Sequence, residues 1–262
     1  MIRISHLLLL CALILSGRLL HAQSSGEEIP DVGWGKIEIQ GKEVLLVIDS
    51  MPESGFVSLP RLNNRMKSLT WRGMPDGPDL KLQPEPTQWR IEVPKSIDLP
   101  TTIRLETFQP VRVATKPVVA RPNHDGEIVL PAHDAVTHGE KLRFEPQPHK
   151  NTIGYWTDVN DWAEWHFRVD QAGRFECRIA QGCGKGNGGS EVDVICVSED
   201  GSQRQLLPLV VEDTGHFQNF VVRMIGLFDL QPGRYRIEVR PRSKAKAAVC
   251  DIRQIKLVPV QI

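Results

Sequence analysis

Trp162-Ala163-Glu164-Trp165-His166-Phe167-Arg168-Val169 is the stretch that decides the fold class. Ala163, Trp165, Phe167 and Val169 recur at every second position, with Glu164, His166 and Arg168 between them. A strand turns successive side chains to opposite faces, so this pattern buries the first set and leaves the second to solvent. A helix would need its apolar residues three and four positions apart, and they are not.

The same texture recurs on both sides. Downstream, Gly173 to Ala180, Glu191 to Val197, Gln205 to Val211, Gln218 to Met224, Gly233 to Val239 and Cys250 to Val258 read as strands, and upstream so do Ile128 to Pro131 and Lys141 to Phe144. Further upstream come Trp34 to Ile39, Glu43 to Ile48, Lys67 to Trp71, Gln88 to Val93 and Thr102 to Thr107, between Gly, Pro, Asn and Asp turns. Between the two series, Ala114 to Gly126 holds Pro117 and Pro122 among polar neighbours and reads as a semi-rigid linker. Short strands at this spacing predict an all-β chain of two β-sandwich domains of the jelly-roll type in tandem, over 31–113 and 127–262.

Met1 to Ala22 has a basic start at Arg3, an apolar run from Leu7 to Leu15 and a small residue, Ala22, before Gln23. Gly17 and Arg18 break the run short of the ~20 apolar residues that a spanning helix needs. The segment therefore reads as a secretory signal peptide cleaved after Ala22, with no membrane anchor. Cys11 follows Leu10, where a lipoprotein signal carries a small residue. The mature protein is expected to be secreted or periplasmic. The 32 basic and 32 acidic residues balance without a block of one sign, which argues against nucleic acid as a partner and suits a neutral ligand.

Export permits disulfides among Cys177, Cys183, Cys196 and Cys250, and all three pairings are open. Cys177 alternates with Phe175 and Ile179, and Cys196 with Val192 and Val194, so both also fit as small core side chains. Paired CxxC units are missing, so a zinc site is not expected. Gln181 to Ser190 carries glycines at 182, 184, 186, 188 and 189 but lacks the GKS or GKT ending of a phosphate loop, and reads as a flexible strand connection. His124, His133, His138, His149, His166 and His216 form neither HExxH nor a local pair with a third ligand, and read as solvated surface residues.

Trp34-Gly35-Lys36-Ile37, then Val44 to Ile48, then Ser58-Leu59-Pro60-Arg61-Leu62-Asn63-Asn64 follow a recognisable order. Over roughly 31–113 the chain resembles the C-terminal β-sandwich of family 29 alpha-L-fucosidases, where a WGK start, an apolar strand and an LPGLxN-like turn recur. Arg61 stands in place of the usual glycine, and Asp49-Ser50-Met51-Pro52 lacks the aromatic expected before the proline. In such enzymes the catalytic carboxylates lie on a (β/α)8 barrel, which takes ~250 residues with alternating helices and has no counterpart in this sequence. The resemblance implies architecture and kinship with glycoside hydrolases, and no catalytic residue.

Asn160-Asp161-Trp162-Ala163-Glu164-Trp165-His166-Phe167, Ala172-Gly173-Arg174-Phe175, Gly188-Gly189-Ser190, Thr214-Gly215-His216-Phe217 and Pro232-Gly233-Arg234-Tyr235 also keep a familiar order. Over about 127–259 they resemble a family 6 carbohydrate-binding module. The resemblance implies a non-catalytic domain with a glycan or polysaccharide as partner. In that family one cleft is made by a tyrosine from the loop before the DW strand, an aromatic after the TG turn and an asparagine from the final loop. Tyr155 and Phe217 match the first two, Phe217 where tryptophan is common, and Val249-Cys250 stand at the third place. Family members often hold a structural calcium near the first strand. Ala132-His133-Asp134-Ala135 offers Asp134 without the usual AE pair, so neither calcium nor any other cofactor is predicted. Asp251 matches a family position and reads as orienting a loop.

A pyranose presents a face of axial C–H bonds and a rim of hydroxyls, and so needs a flat aromatic beneath it and fixed polar groups at its edge. Tyr155, Trp156, Trp162 and Trp165 crowd into one stretch. Strand phase assigns Trp165 to the core. The candidate glycan-contacting set is therefore Tyr155, Trp156, Trp162 and Phe217. No motif selects the carboxylate pair that a glycosidase needs. Two other readings stay open: a remnant or accessory subunit of an alpha-L-fucosidase-like hydrolase acting with a separate glycoside hydrolase subunit, and a structural exported surface protein.

Overall fold

The computed structural model describes residues 32–260. The expected signal peptide, with its cleavage point after Ala22, lies outside them. The first seven strands are β1 (Gly35–Gln40), β2 (Glu43–Ile48), β3 (Phe56–Pro60), β4 (Met66–Trp71), β5 (Leu82–Pro84), β6 (Gln88–Glu92) and β7 (Thr101–Thr107). They form a four-stranded sheet, ordered β1-β2-β7-β4, and a three-stranded one, ordered β3-β6-β5.

The remaining strands are β8 (Val119–Ala120), β9 (Ile128–Pro131), β10 (Val136–His138), β11 (Arg143–Glu145), β12 (Thr152–Gly154), β13 (Trp162–Val169), β14 (Gly173–Cys183), β15 (Glu191–Ser198), β16 (Arg204–Val210), β17 (His216–Leu230), β18 (Gly233–Pro241) and β19 (Asp251–Pro259). One sheet runs β10-β13-β18-β15-β16, with β8 paired to β13, and the other β11-β12-β19-β14-β17, with β9 paired to β19. The all-β, tandem-sandwich architecture expected from the sequence is the one that forms. Among the described residues no helix is long and apolar enough to cross a membrane.

The second sandwich closes on the residues that the alternation selected. Ala163, Trp165, Phe167 and Val169 of β13, Phe175, Cys177 and Ile179 of β14, and Val192, Val194 and Cys196 of β15 are all buried. Each large apolar side chain removed from water in this way contributes ~1.5–3 kcal/mol. Trp165 also joins the two sheets, because its Nε1 donates to the Pro131 carbonyl of β9 at 2.8 Å.

The stretch 114–126, expected as a linker, is held at two points. Ala114 N donates to the Arg61 carbonyl at 2.9 Å, and Val119–Ala120 pairs in parallel with His166 and Phe167. The two sandwiches also meet directly. The rings of Trp89 (β6) and Phe144 (β11) lie 6.2 Å apart. Arg61, buried, donates from Nη2 to the Ala135 carbonyl at 2.7 Å, and Arg112 donates to Asn63 O and Asp134 Oδ1, each at 2.9 Å. Arg61, the residue that departs from the glycine of the resembling turn, is thus the one that reaches into the next sandwich. Burial pushes its guanidinium down to about 10, so it stays charged at neutral pH.

Two expectations need correcting. His133 is not a solvated histidine: its side chain is 15% exposed, and burial, with Arg112, Arg61 and Arg65 close by, pushes the imidazole down to about 4. The glycine-rich stretch is not all a flexible connection, because β14 continues through Gly182 and Cys183. A side chain at Gly182 would collide with the Phe217 carbonyl oxygen, so the approach of β17 to β14 requires glycine there.

Candidate functional site

Tyr155 and Trp156 are neighbours in sequence but point opposite ways. Tyr155 follows β12 with a φ of 58°, a left-handed conformation that costs a side-chain-bearing residue ~1–2 kcal/mol. The turn leaves Tyr155 51% exposed and sends Trp156 fully into the core. There the Trp156 Nε1 donates to the Asp161 carbonyl at 2.9 Å, and its own carbonyl accepts from Val249 N at 2.9 Å. Trp156 therefore cannot meet a ligand, contrary to the sequence expectation. Its burial is the anchor that holds Tyr155 out.

Tyr155 stands at one end of the outer face of the β11-β12-β19-β14-β17 sheet. The Arg143 guanidinium lies 3.7 Å from its ring centroid, a cation–π contact that fixes the ring. Gly154 pairs with Arg143 across β11, and Ile153 pairs with Ile252 across β19, so Asp251 is the neighbour of Gly154 on the other side. A Cβ on Gly154 would stand 2.7 Å from Asp251 Oδ1 and 2.9 Å from Glu145 Oε2. The missing side chain is what lets the two carboxyl groups converge. Lys150 Nζ pairs with Glu145 Oε1 at 2.7 Å.

Asp251 pairs in turn with Gly182 of β14, over which the start of β17 passes. Gln218 Nε2 donates to Asp251 Oδ2 at 3.5 Å. Half-buried Phe217 lays its ring against Gly184, where a Cβ would come within 2.5 Å of Cε2. The Arg253 guanidinium lies 3.8 Å from the centroid of Phe220 and donates to the Lys150 carbonyl at 2.8 Å. Tyr155 and Phe217 thus flank one polar strip made of Gly154, Asp251 and Gln218.

Burial, and then the nearby Glu145 carboxylate, raise Asp251 to about 8. At neutral pH it is a carboxylic acid, able both to donate to and accept from a hydroxyl group. This is more than the loop-orienting role read from the sequence. Asp161 has that role instead: Oδ1 accepts from Glu140 N at 2.9 Å, and Oδ2 from Lys141 N and Leu142 N at 2.8 and 2.7 Å.

Trp162 lies elsewhere, on the outer face of the β10-β13-β18-β15-β16 sheet. His138 stacks on it at 3.8 Å with an interplanar angle of 7°, and the Arg240 guanidinium sits 3.4 Å from its ring centroid. His138 and Arg240 come from the strands on either side of β13, so both faces of the indole are covered. Beside it, Glu164 Oε1 lies 3.4 Å from His138 Nε2 and 3.3 Å from His166 Nε2, and Glu238 pairs with Arg236 and Arg240, each at 2.7 Å. His138 and His166 are half-buried members of this network, not the solvated histidines expected. Trp162 is spent on it, and the four candidates do not converge on one cleft.

The sequence reading missed Arg143, Glu145, Gln218, Phe220 and Arg253. Alternation about Phe144 was the available signal for Arg143 and Glu145, and Phe220 stands three residues beyond Phe217. Cavities of about 520 and 370 Å3 lie at the opposite end of the sandwich. The first is lined by His124, Asp170, Arg174 and Phe175, the second by Ser198, Asp200, Gln203 and Tyr235, and none of the four candidate residues lines either. Asp134 is engaged with Arg112. Among the described residues no group of three or more His, Cys, Asp or Glu side chains is arranged to hold a metal ion.

No protein-family model matches the chain, and no curated protein does. Solved structures that align with it include an alpha-L-fucosidase from Vibrio sp. strain EJY3, at 16% identity over 87% of this chain and 40% of the other, with a TM-score of 0.36. Another is the C-terminal CBM6 of LamC, a marine laminarinase from Zobellia galactanivorans, at 15% identity over 50% and 98%, with a TM-score of 0.40. A third is the CBM35 from Cellvibrio japonicus Abf62, at 12% identity over 52% and 94%, with a TM-score of 0.39. The chain thus spans 40% of the length of the fucosidase it matches. TM-scores below 0.5 transfer no ligand and no residue role to this chain.

Proposed function

We propose that this is an exported, non-catalytic glycan-binding protein whose second sandwich holds a neutral sugar on Tyr155 and Phe217. The observation that carries the reading is Tyr155: an aromatic ring held in a left-handed turn, half exposed, and braced by Arg143. The sugar's apolar face stacks on such a ring, and the hydroxyl rim meets Gln218, whose amide is held from beneath by the buried Asp251. The balanced charge of the chain suits a neutral ligand. The signal-like start supports a secreted or periplasmic site of action after cleavage near Ala22. The first sandwich, with its fucosidase-like sequence order, serves as the support against which the binding sandwich packs, and a separate glycoside hydrolase is a natural partner. Electrophoresis through gels containing dissolved polysaccharides tests the reading: at least one polysaccharide should retard the protein, and free migration in all of them contradicts it.

The convergence of Glu145 and Asp251 favours a second reading, glycoside hydrolysis, because a carboxyl held protonated at neutral pH beside another is the equipment of that chemistry. Turnover of nitrophenyl fucosides or related glycosides, lost in Asp251→Asn, would establish it over binding alone.

A further inference from the structure

Cys183 ends β14 and Cys250 immediately precedes β19. Gly182 and Asp251 are paired across these antiparallel strands, so the next residue of one strand faces the preceding residue of the other. Both cysteines are buried, and both are free thiols here. Cys183 Sγ lies 3.9 Å from the Val249 carbonyl oxygen, against the residue before Cys250. Opposed residues on antiparallel strands have Cα atoms about 4.5–5.5 Å apart, within the about 4.4–6.8 Å that a disulfide spans. Among the described residues the other two cysteines lack this relationship. Cys177 is paired with Gly226 and Leu257, and Cys196 with Gln205 and Ile237.

We propose that Cys183 and Cys250 are joined by a cross-strand disulfide, made by thiol–disulfide exchange with a small-molecule or protein disulfide as oxidant. One cysteine thiolate attacks the oxidant, whose S–S bond breaks to release a first thiol. The second cysteine thiolate then attacks the mixed disulfide and releases the second thiol. The protein loses two electrons and two protons, and the oxidant gains them.

Burial raises the Cys183 thiol to about 11 and the Cys250 thiol well above its usual range. Thiolate is the attacking form, so the exchange takes place before β14 and β19 close, and the finished bond is shielded from reductants. The bond fixes the chain leaving β14, on which the Phe217 ring rests, to the chain entering β19 at Asp251. It does not depend on what the site binds.

The test uses the full chain exported to an oxidising bacterial periplasm, purified without reductant, alkylated in denaturant and digested with trypsin. Cleavage after Arg178, Lys185, Lys246 and Arg253 places the two cysteines in peptides 179–185 and 247–253, separate from those of Cys177 and Cys196. The expected result is one disulfide-linked pair of these two peptides, which separates on reduction. Recovery of both peptides alkylated, or of either linked to Cys177 or Cys196, overturns the proposal. Cys250→Ser should lower the thermal midpoint by several degrees, and reductant should bring the wild type down towards it. A wild-type midpoint indifferent to reductant under denaturing conditions also overturns it.

Discussion

Gly154 faces Asp251 across β12 and β19, so near that a methyl group on Gly154 would stand 2.7 Å from the Asp251 Oδ1. The glycine is there for the carboxyl group, since Gly154 does not need a positive φ. Gly154→Ala should therefore force Asp251 and Glu145 aside at an overpacking cost of ~1–3 kcal/mol. Urea unfolding measures it, and a wild-type midpoint in the variant would show that the carboxyl groups yield freely.

Asp251 and His133 set opposite pH dependences. The unfolded chain releases the Asp251 proton near 3.8, whereas the fold keeps it to about 8, so this group makes stability fall as pH rises between those values. His133 takes up a proton near 6.5 unfolded but only at about 4 in the fold, so it makes stability fall as pH drops through that window. The two oppose each other below 6.5, and above it Asp251 acts without that opposition. Unfolding free energy should decline between pH 6.5 and 8 by up to ~1.4 kcal/mol per unit. Asp251→Asn should flatten that slope, and an unchanged slope would remove Asp251 as its cause.

Trp156 and Tyr155 should separate stability from binding. Trp156→Ala empties a fully buried site and loses the bond to the Asp161 carbonyl, at a cost of ~3–5 kcal/mol. Tyr155→Ala should leave the thermal midpoint nearly unchanged, because the exposed ring gives up only its Arg143 contact while the Cβ, and with it the left-handed cost, stays. Differential scanning calorimetry on both variants makes the comparison.

Arg61→Met should weaken the junction between the sandwiches. It leaves the Ala135 carbonyl, now served at 2.7 Å, without its charged donor, which costs ~1.5–3 kcal/mol. Guanidinium unfolding reads this directly. A loss of less than ~0.5 kcal/mol would mean that the Trp89–Phe144 contact and the Arg112–Asp134 pair carry the junction without Arg61.

Much of the architecture was legible from period-two alternation, because β9 and β13 have both faces sorted over their whole length. β3, β5, β8, β10 and β12 were not anticipated. Each is short, from the pair Val119–Ala120 to the five residues of β3, and several include Pro or Gly. Pairing to a neighbour, not local pattern, makes them strands. At the site, Tyr155 was legible as a loop aromatic. Trp156 was misread because its fate turns on a left-handed φ one residue earlier, which no periodicity records. Trp162 stands at the start of its strand, where alternation leaves its side open, and His138 and Arg240 arrive from strands distant in sequence and cover it. Asp251 and Glu145 could not be recognised as neighbours, since their approach rests on Gly154 standing between them.

The central claim is that Tyr155 and Phe217 form the sugar platform. Calorimetric titration of a polysaccharide that retards the wild type should show affinity at least about tenfold weaker, ~1.4 kcal/mol, in the Tyr155→Ala/Phe217→Ala double variant. Trp162→Ala should stay within about twofold of wild type, because its indole is enclosed by His138 and Arg240. Equal affinity of the folded double variant and wild type, or a loss confined to Trp162→Ala, would contradict the account.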